Sequence, residues 1–280
     1  MTRQSEITRA QVADLLHALF VGEADAGERP RALRTEDEKK VDELTAFLAE
    51  IARAIPKARA RPFTLVDAAC GKSALGLLAA ALVLTPRGVP ARVVVFDREE
   101  RFIARAATAA AKLRARGLLD ARVLVSCAVH EASDVARWPD APDLVVALHA
   151  CGRASDDVID GAVARGARAL LVVPCCYGAH PDPDDGGHEE RAPPGQAAAR
   201  AHAEGLGLSR HGLIGRRVAA ALIDQERALR LELHGYETVA SELFSSSVSP
   251  HNLLFRARRV MEPRRMEAHR ALHARLTGAP

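Results

Sequence analysis

The side chains of this sequence that could do chemistry are expected to cluster at the ends of strands. Asp67 lies in Phe63-Thr-Leu-Val-Asp-Ala-Ala-Cys-Gly-Lys-Ser-Ala-Leu-Gly76, where an apolar strand runs into a glycine and then an Ala/Leu helix. Asp97 ends the next strand, His149 opens His149-Ala-Cys-Gly152, and Cys175 and Tyr177 belong to Pro174-Cys-Cys-Tyr177. A carboxylate at the end of a second strand can accept hydrogen bonds from both hydroxyls of a ribose, or cap the helix that follows. A histidine titrates near neutrality, so His149 is the candidate general base, or else donates to a carbonyl and fixes its loop. Tyr177 could stack on a base, hydrogen-bond it, or cap the core. Adjacent cysteines splay apart, and zinc-type C-x-x-C pairs are absent, so Cys175-Cys176 does not read as a metal site. A Cys175 thiolate attacking a pyrimidine ring has no evident cation beside it, which leaves packed thiols shaping a pocket floor as the default. His180, His188 and His202 read as solvated.

Two nucleotide sites fail on the glycines. A phosphate-binding P-loop ending in Gly71-Lys72-Ser73 needs a glycine at 66, where this chain has Val66. A dinucleotide fingerprint centred on Gly71 needs glycines where Ala69 and Ala74 stand. A sugar-and-base pocket with no pyrophosphate to cradle remains, which suits S-adenosylmethionine. Its expected contacts are Asp67, Ala69, Cys70, Gly71 and Ser73 in the first turn, Asp97 and Arg98 in the second, Ala128 after the third strand, and His149. The alternative is a plain strand-to-helix turn with a buried aspartate cap.

The elements that must position these residues alternate. Val12, Leu15, Leu16 and Leu19 predict an amphipathic helix over residues 5–20. Thr35-Glu-Asp-Glu38 reads as a capping box opening a helix with Val41, Leu44, Leu48 and Ile51 on one face. Strands follow from Phe63, at Arg92–Phe96, Ala121–Ser126, Asp143–Leu148 and Arg168–Val173, with helices over Ser73–Leu84, Arg98–Arg116 and from Ser155. This alternation predicts a parallel sheet with ligands at its carboxyl edge. Residues 178–196 read as a polar loop, either a substrate lid or a plain insertion. A helix over 215–234, strands at Tyr236–Leu243 and Asn252–Ala257 spaced for an antiparallel pair, and an arginine-rich helix over Arg256–Arg275 complete the chain.

With 280 residues, 48% of them apolar, the chain can bury a large α/β core. A net charge of +3 neither demands nor excludes nucleic acid. Five cysteines without a signal peptide predict a reduced, cytoplasmic protein, and no apolar run is long enough to span a bilayer.

The His149-Ala-Cys-Gly152, Pro174-Cys-Cys-Tyr177 and Ser249-Pro-His-Asn-Leu-Leu254 blocks resemble the class I methyltransferases that share a domain with the Trm13-type tRNA 2′-O-methyltransferases and related methyltransferase-like proteins, over residues 36–259. The resemblance implies a Rossmann-like, mostly parallel seven-stranded sheet with an antiparallel final strand. It implies S-adenosylmethionine at Asp67, Gly71 and Asp97, and substrate over His149–Gly152 and Pro174–Tyr177. The domains expected are an α-helical N-terminal extension (1–58), the cofactor-binding domain (59–260) and a basic C-terminal helix (261–280). RNA, tRNA or rRNA, is the expected partner. Ala69 and Ser73 stand where the family has glycines, and the zinc-binding segments of the tRNA enzymes have no counterpart here. A protein or small-molecule methyltransferase, a non-catalytic member that binds cofactor or partner, and a nicotinamide dehydrogenase are the alternatives.

Overall fold

A computed structural model describes residues 7–21, 34–56, 61–72, 75–175, 177, 194–207 and 212–278. Five strands, β1 (Phe63–Ala68), β2 (Ala91–Asp97), β3 (Val123–Val129), β4 (Leu144–Ala150) and β5 (Ala169–Pro174), pair in parallel. β7 (Leu253–Arg259) then pairs antiparallel with both β5 and β6 (Tyr236–Glu242), giving the order β3-β2-β1-β4-β5-β7-β6. The sheet is thus the seven-stranded, Rossmann-like methyltransferase arrangement, and its strand order reverses between β1 and β4. A crevice at such a reversal is where ligands bind in open α/β sheets.

The central strands β1, β2, β4 and β5 are mostly apolar because both their faces are covered. Leu65, Val93, Val95, Val146 and Val173 point into one core layer, shared with helices α1 (Arg9–Leu16), α2 (Thr35–Ala54), α3 (Leu75–Ala79) and α4 (Glu100–Ala115). Val66, Val94, Phe96, Val145, Ala147 and Val172 point into the other, against α5 (Ala154–Ala164) and Leu231 of α7 (Gly212–Leu233). Side chains that alternate between faces therefore reach different layers, as the two-residue strand period requires.

Several boundaries differ from the sequence expectation, each for a local reason. α1 starts at Arg9 because Thr8 and Gln11 form a reciprocal capping box, and its C-terminal end widens into a π-helical turn at His17–Val21. α2 does begin at Thr35, but its cap is one residue earlier: Asp37 Oδ2 accepts the Arg34 N–H at 2.9 Å. β3 starts at Val123 because Asp120 takes the N–H and guanidinium of Arg122 and holds that segment as a turn. The final helix, α8, begins at Pro263 and not at Arg256. Arg256–Arg259 pair in β7, and a proline belongs in the first turn of a helix. Of the supposed loop at 178–196, the last three residues open an unanticipated helix, α6 (Pro194–Gly205), while 178–193 lie outside the described residues. No described helix is long and apolar enough to cross a membrane.

Candidate functional site

The turn after β1 is built around its two carboxylates. Asp67 is buried, 1% exposed, and its Oδ2 accepts the N–H of Gly76 at 2.7 Å, which draws the first turn of α3 down onto the strand. Asp97 is nearly as buried, and one oxygen takes the Gly71 N–H at 2.9 Å while the other takes the Glu99 N–H at 2.9 Å. One aspartate therefore ties the first loop to the second. The Glu99 contact holds the second loop and does not cap the helix, whose N-cap, Glu99, has no side-chain cap bond; Asp97 also lines a cavity, and each of its oxygens retains a second lone-pair direction.

Ala69 has φ +53° and Gly71 φ +55°. The left-handed region costs a side-chain-bearing residue about 1–2 kcal/mol, so glycine suits position 69 and Ala69 sits there under strain. A Cβ at Gly71 would meet nothing within 4 Å, because that position faces open space. The glycine that packs helix against strand is Gly76, whose Cβ would lie 2.9 Å from Asp67 Cβ. The motif patterns assign Gly76 no role. Its signal in the sequence is a lone glycine in an Ala/Leu helix, nine residues after the strand-end acid.

At the end of β4 a bulge between Leu148 and Ala150 breaks the alternation, and His149 has φ +62°. Bulges re-aim side chains. This one sends His149 toward α2, where Nε2 lies 3.1 Å from Glu43 Oε2, and Nδ1 is buried without a hydrogen-bond partner among the described residues. Lys40 donates to the same Glu43 oxygen at 3.1 Å. Burial pushes the Glu43 carboxyl up, but His149 and Lys40 outweigh it and hold the group below its ordinary value. His251, from the Ser249-Pro-His-Asn block, has its pKa lowered by burial and then by the nearby charge of His149. α2 is anchored further along by Glu50, which holds Arg256 of β7 at 2.6 and 2.8 Å.

Two cavities share this wall. One, about 340 Å³, is lined by Gly71, Asp97, Arg98, Phe102, His130 and His149 among others. The His130 ring stacks on Phe96 with centroids 4.0 Å apart and so presents a flat surface. The wall there continues through Glu131 and Ala132, whereas Ala128 does not line the cavity and packs against the second core layer. The other cavity, about 510 Å³, reaches under the N-terminal helices and is lined by Phe20, Lys40, Asp67, Cys70, Leu148 and His149 among others. Ala69, Gly71, His149 and Cys151 border both.

The remaining expected site residues divide. Cys70 lines the second cavity, its thiol pushed up by burial and then by Asp67 and Asp97. Cys175 is buried and pairs with Cys151 as a disulfide across the ends of β4 and β5, Cα–Cα 5.5 Å, where the sequence predicts reduced thiols. In that state it offers no thiolate. Tyr177 lines neither cavity; its hydroxyl donates to Asp224 on α7 at 2.8 Å, and Arg227 lies over its ring. Ser73 and Cys176 lie outside the described residues.

Lys40 and Phe102 line the cavities, and Glu43 pairs with His149, without standing out in the sequence. Glu43 and Glu50 are seven residues apart and flank Phe47 on the buried face of α2, so acids on an apolar stripe are the one signal that points to them.

Burial, then the Asp97 charge, raise Asp67 to about 7, against the Gly76 N–H and Lys40, which lower it. A folded-state value above the unfolded one means stability that is full at low pH and lost as pH rises through about 7. In ligand-free protein, Asp67→Asn should therefore gain on wild type by roughly 2 kcal/mol between pH 5 and pH 8, read by urea unfolding. A pH-independent difference would refute this account of Asp67.

The methyltransferase-domain family matches residues 38–179, half of the chain. No curated protein matches it. Solved structures similar to it include an rRNA methylase from Streptococcus thermophilus (9% identity, 82% of this chain and 99% of that one, TM-score 0.39). Others are the tRNA (uracil-54, C5)-methyltransferase of Pyrococcus abyssi (14%, 77% and 38%, 0.38) and a SAM dependent methyltransferase from Aquifex aeolicus (15%, 81% and 98%, 0.43). At such scores these likenesses decide nothing about substrate; the family match carries the assignment. The chain belongs to the methyltransferase-domain family and is an S-adenosylmethionine-dependent methyltransferase.

Proposed function

We propose that the protein binds S-adenosylmethionine across Asp67, Gly71 and Asp97 and methylates a hydroxyl of RNA, with His149 taking the acceptor's proton. The observation that carries the reading is the pairing of Glu43 with His149, which borders both cavities and whose Nδ1 is buried and unpartnered among the described residues. The residues present fit the cofactor. Asp97 faces the first cavity with lone pairs suited to a ribose, His130 offers a flat ring for a base, and Gly71 leaves room for close approach of the backbone. Asp67 and Lys40 bring opposite charges to the second cavity, suited to an amino acid's ammonium and carboxylate.

When bound, the cofactor supplies a methyl group on a sulfonium, a reaction in which positioning does most of the work. The protein's part is then to hold the acceptor in line and relieve it of its proton. A ribose hydroxyl needs such a base, whereas ring-carbon methylation would proceed through a cysteine adduct. In this reading the described N-terminal helices, through Leu16, Phe20, Asp37 and Lys40, cover the second cavity, and the protein works in the cytoplasm.

The RNA assignment rests on the resemblance to 2′-O-methyltransferases. The C-terminal arginines lend it less than the sequence suggests, because Arg256, Arg258 and Arg265 are paired to Glu50, Glu237 and Glu232. Phosphate contacts would fall to Lys72 at the rim of the second cavity, with Arg98 and Arg101, which also pair with Glu99, at the first. The apolar wall of the second cavity, with Leu16, Phe20, Leu75 and Leu148, favours a small-molecule acceptor as the second reading.

Calorimetric titration tests the pocket. S-adenosylmethionine should bind and NADH should not, and Asp97→Ala should weaken the former at least tenfold, about 1.4 kcal/mol. Unchanged affinity in a variant that unfolds cooperatively would sink the assignment.

A further inference from the structure

We infer that Glu43, on the helix ahead of the first strand, is a positioning residue that fixes the tautomer of His149, keeping the hydrogen on Nε2 and the lone pair on Nδ1. The inference rests on the reading of His149 as the base and adds which nitrogen acts and what selects it.

For a neutral imidazole the geometry leaves one protonation pattern. Glu43 is 7% exposed, and one of its oxygens faces both Lys40 and His149 Nε2, each at 3.1 Å. With an ammonium on that oxygen the group is a carboxylate, and a carboxylate only accepts. Nε2 must therefore carry the hydrogen. A neutral imidazole has one N–H and one lone pair, so the lone pair sits on Nδ1, the atom that is buried with no partner among the described residues. A buried acceptor without a donor is costly, and cavity-lining His149 retains it at a position already strained by φ +62°. Residues held in such conformations cluster at active sites and ligand clamps.

The arrangement has the logic of a carboxylate behind a catalytic histidine. Once the acceptor's hydroxyl reaches Nδ1, its proton passes there as the O–H bond breaks, and the ring becomes a cation. Nε2–H stays in place, and the negative charge on Glu43 faces the new positive one. Lys40, through its contact with Glu43 Oε2, holds the carboxylate ionised and aimed.

The test reads the tautomer directly, in the whole protein without substrate. Long-range ¹H–¹⁵N correlation of imidazole-labelled protein at pH 8 should show His149 as the Nε2–H form. Glu43→Ala should give a mixture of tautomers, and Glu43→Gln, whose carbonyl can still accept, should keep Nε2–H. An Nδ1–H form in wild type, or an unchanged tautomer in Glu43→Ala, overturns the inference, the first without needing any variant to fold. Methyl-transfer rates separate this from the underlying reading. Both variants should lose at least tenfold in kcat, Glu43→Ala more than Glu43→Gln. A Glu43-dependent tautomer with unchanged rates would support the positioning role and refute the base assignment of His149.

Discussion

His149→Asn lowers kcat for methyl transfer by roughly 10²–10⁴-fold, the range that a positioned general base contributes, while cofactor affinity falls less than tenfold. Asparagine is the informative replacement because His149 has φ +62°. Asparagine adopts the left-handed region more readily than most residues, so the bulge at the end of β4 survives and the loss is of the imidazole alone. Alanine would mix backbone strain into the result. The cofactor contacts proposed at Asp67, Gly71 and Asp97 do not run through the ring, and the Gly71 and Gly76 hydrogen bonds that shape that turn are made by the aspartates. A fall in rate that matched an equal fall in cofactor affinity would show that His149 binds and does not catalyse.

Gly76→Ala lowers stability by roughly 2 kcal/mol, although helix propensity alone calls for a gain of about 1 kcal/mol. The added Cβ would lie 2.9 Å from Asp67 Cβ and 3.2 Å from Val93 Cγ1, and neither can swing aside in a strand paired on both edges. Relief requires α3 to lift, which stretches the 2.7 Å bond from Gly76 N–H to Asp67. Overpacking typically costs about 1–3 kcal/mol, and a hydrogen bond to a charged group adds about 1.5–3, so the steric side prevails over propensity. Urea unfolding decides the sign. A stabilised variant would mean that α3 is not held against β1 as described.

The two positions also show what the sequence could and could not tell. The parallel sheet was legible because strands buried on both faces, such as Val93–Phe96 and Val145–Leu148, read as continuous apolar runs separated by helical segments. The antiparallel close was legible from the spacing of β6 and β7. Asp67, Asp97 and His149 were legible as strand-end residues, because chain order alone puts strand ends on one edge. Partners that come from other elements were not. Glu43 reaches His149 across 106 positions of chain, and nothing local in Lys-Lys-Val-Asp-Glu-Leu says that its glutamate faces inward. The pairing of Cys151 with Cys175 depends on β4 and β5 being neighbours in register, a fact of the sheet and not of either segment. Tyr177 follows directly on the carboxyl end of β5, yet its hydroxyl turns to Asp224 on a helix whose packing the strand pattern does not specify.

If this site moves a methyl group from S-adenosylmethionine to an RNA hydroxyl, the label can be followed directly. The measurement supplies methyl-labelled S-adenosylmethionine to purified protein with total RNA and total protein fractions. Label is expected in RNA, in an alkali-stable ribose-methylated product, and in neither fraction with His149→Asn. Label from the wild-type protein in the protein fraction alone, or in neither fraction, would contradict the assignment.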